Sequence, residues 1–316
     1  MSFPSENKPE GADPVTSAED SALTASEGLR NSGPAATPPD GFPFDKHSSI
    51  RRLTEPATFA FYPYIAGLTV MNDRIAAGVE AHSSFMEHPW GRLFGTVDAA
   101  ITLLFGNERE SLAMAHRLWR FHETTVQGGQ GETRYDANDG SLQAWVLLAV
   151  FKGLEETNRR WVKPLATDER ASLYQDIKTF GKMFGTPERA LPVDIDGLDE
   201  RWESMLDGDE LLRTDSSRRM ARAVFRFRSH KVPEPLARLG QAVSVTSLDR
   251  RLQDKSGLHP TTLDNRLATA IDTTMRHTYG RLPHQLREQA IPSYLTIRRH
   301  LAPVMGSVLR LAERSR

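Results

Sequence analysis

Apolar residues recur at helical spacing through most of the chain after residue 46. The segment 91–107 shows the pattern: its apolar positions lie three or four residues apart, and they are Leu93, Phe94, Val97, Ala100, Ile101, Leu104 and Phe105. This period of about 3.6 residues predicts an amphipathic helix with one buried face. Gly106 and Asn107 are expected to end the helix.

A second amphipathic helix is predicted to follow at once. Glu108 and Glu110 suit its first turn, where the helix dipole stabilises carboxylates. Gly128 and Gly129 are expected to stop it. Its predicted buried stripe contains Leu112, Ala115, Trp119, His122 and Val126. His122 therefore stands at a position where the pattern favours an apolar residue.

The remaining periods are helical too. "YDANDGSLQAWVLLAVFKGLEE" predicts a loop, a helix cap near Asp139 and an apolar helix, and "DERASLYQDIKTFGKMFG" predicts a helix closed by Gly185. Further helices are predicted at 211–229, 233–253 and 261–278. Alternating, strand-like runs are nearly missing. We therefore predict an all-α fold, a single multi-helix domain around one main core.

Composition divides the chain into three parts. Residues 1–45 hold seven of the nineteen prolines, and eight acidic residues against two basic ones. Such a segment buries too little apolar surface to offset the entropy of ordering, so we predict a disordered tail. Residues 46–300 form the predicted helical domain, and 301–316 the end of a C-terminal helix. The net charge of about +5 outside the tail does not favour nucleic-acid binding.

Other totals limit the chemistry and the compartment. The sequence contains no cysteine, which excludes disulfides, thiolate metal sites, iron–sulfur clusters and cysteine nucleophiles. No run of about eighteen apolar residues and no secretory signal are present. A cytoplasmic location is the resulting expectation.

Common enzyme motifs are missing from the sequence. It lacks H-E-x-x-H, the P-loop and the G-x-S-x-G elbow, and no Glu precedes a His by three residues, as a helical di-iron site requires. Single histidine ligands remain. A haem needs one proximal histidine and an apolar slot between helices, and His122 suits both needs. The alternative is a core histidine that bonds a backbone carbonyl.

Arg92 and Thr96 form a second unusual feature, on the helix before His122. They lie four residues apart, so they share a face at the edge of the apolar stripe. A cation and a hydroxyl there suit an anionic group, such as a haem propionate or a bound oxygen species. The alternative is a surface arginine and a threonine bonded back to its own helix.

These features occur together and in order, and with them the sequence resembles the catalytic domain of MpaB-type oxygenases and rubber oxygenases (latex clearing proteins). The resemblance covers roughly residues 50–295. The matching pieces, in chain order, are Arg92, Thr96, Phe105-Gly106, His122, Gly128, "YDAND" at 135–139, Trp145-Val146, "FGTPERALP" at 184–192 and "LPHQLRE" at 282–288.

The resemblance implies a helical b-type haem protein. It implies that His122 is the proximal ligand of the haem iron, that haem b is the cofactor, and that Arg92 and Thr96 lie near the haem and support oxygen binding or activation. The chain departs from the family where rubber oxygenases have a distal lysine and this chain has Gly95, and where many relatives have a histidine and this chain has Leu147. The leader and anchor of the relatives are also not expected.

The resulting hypothesis is a haem-dependent oxidoreductase that uses O₂ and an unidentified electron donor on a small apolar, isoprenoid-like substrate. Phe94, Phe85 and Trp90 are expected to line part of the pocket. His82 is either a distal acid–base group or a surface histidine, and Glu80 is open in the same way. Tyr135 is expected to be structural. A haem dehydrogenase, a peroxygenase, or a non-enzymatic helical protein that binds haem or lipid are the alternatives.

The basic run 211–231 raises the question of a membrane partner. Its seven cations, Arg213, Arg218, Arg219, Arg222, Arg226, Arg228 and Lys231, could make peripheral contact with an anionic membrane. The alternative is a solvated face over an apolar core side. A DNA-binding helix is not favoured, because the context that reads bases is missing.

Overall fold

A computed structural model describes residues 44–82, 89–226 and 233–296, and within 89–93 it describes the backbone alone. Helices dominate these residues. Their bounds are α1 Ser49–Leu53, α2 Tyr62–Thr69, α3 Asp73–His82, α4 Pro89–Phe105, α5 Glu108–Thr125, α6 Gly140–Trp161, α7 Thr167–Met183, α8 Ile195–Asp207, α9 Asp215–Arg226, α10 Glu234–Thr246, α11 Arg250–Ser256, α12 Thr262–His277 and α13 His284–Glu288. The predicted all-α class is confirmed. The predicted tail, for its residues 1–43, and the predicted end of a C-terminal helix at 301–316 lie outside the described residues.

Short 3₁₀ turns and one small antiparallel ribbon complete the described fold. The ribbon pairs β1, Gln127–Gly128, with β2, Tyr135–Asp136, and Gly128 lies opposite Tyr135. It joins α5 to α6. Helical backbone also continues at 290–296.

Helix α6 lies at the centre of the main core. Its side chains Phe151 and Leu154 are fully enclosed, and α2, α7 and α12 pack around it. Gly153 lets α2 approach closely, because a Cβ at this position would lie 2.2 Å from Cγ1 of Ile65. Trp145 fixes the N-terminal half of α6, since its indole N–H donates to the carbonyls of Leu68 and Thr69 at 3.1 Å.

The cap predicted near Asp139 is present. The Asp139 carboxylate accepts from the backbone N–H of Ser141 at 2.8 Å, so α6 begins where the sequence indicated. At the end of α7, Gly185 has a φ of +82°, which favours glycine, and it closes the helix as predicted.

Two predicted helices have different bounds in the structure. The helix predicted at 233–253 is two helices, because Asp249 caps a new start by accepting from the N–H of Arg251 at 2.8 Å. The helix predicted from 211 begins at Asp215. The preceding residues pair with another segment instead, and Leu212 N–H donates to the Met71 carbonyl at 2.9 Å.

A buried ion pair joins the two ends of the described chain. Glu55 and Arg287 have side chains that are 4% and 8% exposed, and their closest oxygen and nitrogen lie 2.9 Å apart. The Tyr279 hydroxyl donates to the same carboxylate at 2.7 Å. A buried charge that loses its partner is costly, so this pair constrains how the C-terminal segment packs.

We therefore expect Glu55→Gln to lower the free energy of unfolding by about 3 kcal/mol, because it leaves the Arg287 charge buried without a counter-charge. Denaturant unfolding measures the change. Glu234→Gln is the matched control, because it removes a pair with Arg238 that is largely exposed, and it should cost less than about 1 kcal/mol. Equal effects of the two substitutions would contradict the prediction.

Candidate functional site

Helices α4 and α5 form a tight antiparallel hairpin. Asn107 and Glu110 make a reciprocal capping box at the turn, with side-chain to backbone distances of 2.9 and 3.2 Å. Beneath it, the Ser111 hydroxyl donates to the Thr102 carbonyl at 2.9 Å. Arg51 donates to the Leu104 carbonyl at 2.6 Å and satisfies the end of α4. The turn predicted at Gly106-Asn107 is thus present.

The positions of the predicted site residues along α4 and α5 determine how far each one lies from the turn of the hairpin. Arg92 lies thirteen residues before the end of α4, and His122 lies fourteen residues after the start of α5. At 1.5 Å per residue, both backbones lie roughly 20 Å from the turn. Thr96 lies one helical turn closer to it. The fold therefore brings the backbones of Arg92 and His122 to the same end of the hairpin.

His122 lies in the last turn of α5 and is half-buried, not enclosed in the core. Its carbonyl accepts from the N–H of Val126 at 3.2 Å, the last backbone bond of the helix. The Phe121 ring lies beside it, with 6.0 Å between the ring centroids, and Phe121 is 44% exposed. The imidazole is thus partly exposed and has an aromatic ring beside it.

The neighbouring face of α4 is open. Phe94 is 61% exposed, which corrects the prediction that it belongs to the buried stripe. Ile101 and Leu104, nearer the turn, are buried, and Ile101 packs against Ile291 and Leu295. Thr96 is exposed, and a Cβ at Gly95 would meet no atom within 4 Å. The side chains of Phe85, Trp90 and Arg92 lie outside the described residues.

The ribbon after α5 is fixed by Tyr135. Its hydroxyl and Nε2 of His82 lie 2.8 Å apart, and the two rings meet edge to face. Gly128 allows this packing, because a Cβ there would lie 2.8 Å from the Tyr135 hydroxyl oxygen. Next to it, Gly129 has a φ of +77°. The structural role expected for Tyr135 is what the structure shows.

The "YDAND" segment is a scaffold in this structure. Asp136 accepts from the backbone N–H of Asn138 at 2.8 Å, which forms an Asx turn. Asp139 is buried and pairs with Arg74 of α3 at 2.6 Å. Sequence reasoning missed Arg74, because its position sixty residues before the ribbon gives no local signal. Its only sequence cue is a cation in the first turn of a helix.

Glu80 forms an ion pair, and this argues against a role as a catalytic acid. Its carboxylate accepts from the Ser216 hydroxyl and from Arg219, which lies 2.9 Å away. Hydrogen bonds from Ser216 and Arg219 hold the pKa of Glu80 below its ordinary value. The group is therefore ionised at neutral pH. His82 is exposed at the end of α3 and remains open as an acid–base group.

The described part of the basic run has an apolar inner side and a polar outer one. Met220, Val224 and Phe225 are buried in the core, whereas Arg226 is exposed. Arg218 pairs with Asp215 at 2.8 Å. These observations favour the solvated-face interpretation for 215–226. Residues 227–232, including Arg228 and Lys231, lie outside the described residues.

Two features of α5, the half-buried His122 imidazole and the Trp119 indole, are compatible with a bound cofactor such as haem. Within 44–82, 89–226 and 233–296 there is no group of three His, Asp or Glu side chains that could hold a bare metal ion, but a haem requires one histidine. Trp119, one turn earlier on α5, has a buried indole N–H without a hydrogen-bond partner among the described residues. An unpaired buried donor is a feature that a bound acceptor would explain.

None of the helices in the described ranges is long and apolar enough to cross a bilayer.

The Asp139–Arg74 pair generates a test of this scaffold. We expect Asp139→Ala to lower the free energy of unfolding by about 2 kcal/mol, because it removes both the helix cap and the partner of a half-buried arginine. Asp139→Asn keeps the cap and should recover about 1 kcal/mol. Thermal and denaturant unfolding of both variants checks this. If alanine and asparagine cost the same, the cap contributes nothing.

Comparison with known proteins supplies the family. Residues 51–305 match the family described as "ER-bound oxygenase mpaB/B'/Rubber oxygenase, catalytic domain". The match covers most of the chain and contains the α4–α5 hairpin, the ribbon and α6, so the resemblance found in the motifs is confirmed. No individual curated protein and no solved structure matches the chain.

Proposed function

The chain belongs to the mpaB/rubber oxygenase catalytic-domain family, and on this premise we propose that it is a haem b-dependent oxygenase in which His122 would bind the iron. The proposed substrate is a small apolar, unsaturated molecule of isoprenoid type, and O₂ is the proposed oxidant. The observation that carries the proposal is the half-buried imidazole of His122 in the last turn of α5, at the same end of the hairpin as Arg92.

The apolar surface around His122 supports this choice of cofactor and substrate. The phenyl rings of Phe94 and Phe121, on neighbouring helices, are 61% and 44% exposed. Exposed aromatic rings, of which Phe121 lies beside the imidazole, favour binding of a flat apolar group, because burial of that surface is favourable. The same rings would exclude water from an apolar substrate.

Haem, when bound, supplies the iron chemistry with which O₂ is activated. The residues of the chain have simpler tasks in the proposal. Arg92, level with His122, is proposed to bind an anionic group such as a propionate. Thr96, exposed one turn away, is proposed to donate a hydrogen bond to an oxygen atom of the cofactor or of O₂. A Cβ at Gly95, the residue before Thr96, would meet no atom within 4 Å, so the surface there has room for a bound group.

The cofactor assignment is tested by the absorption spectrum. Protein purified from haem-replete cells should show a Soret band that shifts when dithionite reduces the iron. A colourless preparation that takes up no added haemin would remove haem from the proposal.

The ligand assignment is tested by substitution in α5. His122→Ala should lose haem or shift the Soret band, because the iron loses its proximal nitrogen. His116→Ala is the matched control, since His116 is exposed on the same helix, and its spectrum should be unchanged. An unaltered Soret band in His122→Ala would show that another residue binds the iron.

A substitution of Arg92 tests whether this residue acts in turnover and not in binding of the iron. Arg92→Ala should retain haem and lose at least about tenfold in turnover, the effect typical of a lost charge interaction at a reacting group. Turnover is followed as O₂ uptake with a reductant and an unsaturated isoprenoid. Full activity of Arg92→Ala would place Arg92 outside the mechanism.

The reaction class is tested by isotope. Label from ¹⁸O₂ in the product supports an oxygenase. A product without label would support a dehydrogenase or peroxygenase on the same scaffold. Haem binding without turnover would support a binding protein.

A further inference from the structure

The last turn of α5, in which His122 lies, is joined to α6 by a continuous series of hydrogen bonds. The His122 carbonyl accepts from the N–H of Val126 at 3.2 Å, and the Val126 carbonyl accepts from the N–H of Ala137 at 3.0 Å. The Ala137 carbonyl in turn accepts from Nε2 of Gln143 at 3.2 Å. The series therefore reaches α6 at the side chain of Gln143.

The other side of the same amide is bound by Thr186. The Thr186 hydroxyl donates to Oε1 of Gln143 at 2.8 Å, although the two residues lie 43 positions apart in the sequence. Thr186 is buried, and its own N–H donates to the Gly181 carbonyl of α7 at 3.0 Å. The preceding Gly185, with its φ of +82°, turns the chain there. The hydroxyl that binds Gln143 is thus held in place by its own segment.

The two partners determine which way the amide of Gln143 points. A carbonyl only accepts hydrogen bonds, so the amide nitrogen has to face Ala137. The amide oxygen then faces Thr186, whose hydroxyl donates to it. The opposite orientation would place two acceptor oxygens against each other. The contact therefore needs a side chain that donates on one side and accepts on the other.

The last turn of α5 depends on contacts from outside the helix. The final carbonyls of a helix have no partner within it, and the chain beyond Val126 passes through Gly128 and Gly129, which restrict the backbone little. The N–H of Ala137 supplies a partner for the Val126 carbonyl, and Gln143 holds the carbonyl of the same Ala137. Gln143 therefore limits the movement of the turn that carries His122.

We propose that Gln143 is a positioning residue for His122, an inference that rests on the proposed role of His122 as the haem ligand. A histidine ligand binds its metal well only when surrounding contacts fix its orientation. Loss of the amide donor would free the ribbon and the last turn of α5. His122 would then spend less time in the orientation that binds iron.

This role also explains why two motif segments occur together in the chain. "YDAND" at 135–139 contains the carbonyl that Gln143 binds, and "FGTPERALP" at 184–192 contains the hydroxyl. The two segments meet at one side chain of α6. Both then contribute to the same end of α5.

Gln143→Glu tests the proposal. The carboxylate still accepts from Thr186, but at neutral pH it has no N–H for the Ala137 carbonyl and repels it. Thr186→Val is a second variant, which removes the contact on the other side of the amide. It keeps the proposal testable if Gln143→Glu does not fold, and melting temperatures show which variants are folded.

Gln253→Glu is the matched control. Gln253 lies at the start of α11, and its Nε2 donates to the Leu248 carbonyl at 2.8 Å, just as that of Gln143 does to Ala137. The backbone N–H groups of both glutamines donate to the carbonyl of the aspartate that caps their helix. The control therefore removes the same kind of bond from a helix outside the series that reaches His122.

The first measurement is amide hydrogen exchange of the full chain, read on peptides that cover 122–137. Gln143→Glu should exchange about fivefold faster there, the effect of one lost hydrogen bond. Thr186→Val should change exchange in the same direction, and Gln253→Glu should match the wild type. This measurement does not require haem.

The second measurement follows the haem-loaded protein. Haemin should transfer to apomyoglobin about fivefold faster from Gln143→Glu than from wild type, because one hydrogen bond that holds the ligand turn is lost. The electron paramagnetic resonance signal of the ferric iron, which reports the orientation of the axial imidazole, should change as well. Thr186→Val should change both readouts in the same direction, whereas Gln253→Glu should leave them unchanged.

Equal exchange at 122–137 in wild type and in the folded variants would overturn the proposal. Faster exchange with unchanged haemin transfer and an unchanged iron signal would also overturn it, since Gln143 would then stabilise the ribbon without positioning His122. A wild type that binds no haem would instead remove the proposed function, and the exchange rates would still decide whether Gln143 holds the end of α5.

Discussion

The guanidinium of Arg160 is the contact on which the arrangement of the helices depends. It lies at the end of α6 with 5% of its side chain exposed, and it binds Asp272 of α12 at 2.9 Å. It also donates to the Val243 carbonyl at 2.9 Å and to the Ser247 hydroxyl at 2.6 Å. A buried arginine is tolerated only when its donors are satisfied. These contacts therefore fix how α6, α10 and α12 pack against one another.

The opposite end of α6 is fixed by the same kind of contact. Asp139 is buried, caps the helix and pairs with Arg74, which in turn donates to the Arg134 carbonyl at 2.7 Å. The ribbon is therefore held against α3, and through it the end of α5 is held as well. The position of His122 is thus set by a chain of polar contacts that starts outside its own helix.

Two parts of the described surface present different kinds of side chain. On the α4–α5 hairpin, Phe94 and Phe121 are exposed apolar side chains. A cavity beside Tyr64 is lined by ion-paired side chains, among them Lys152 and Glu155, together with Trp202.

The sequence by itself determined the helical class, the α4–α5 turn, the Asp139 cap and the family, because these depend on local periodicity, capping chemistry and motif order. It also singled out Arg92, Thr96 and His122, whose roles stay predictions. The tertiary structure decided exposure, helix breaks and long-range pairing, which local spacing does not contain. It exposed Phe94, divided the helix predicted at 233–253, paired Glu80 with Arg219 and brought Tyr64 to a cavity. These outcomes depend on which distant residues become neighbours, and helical periodicity carries no information about that.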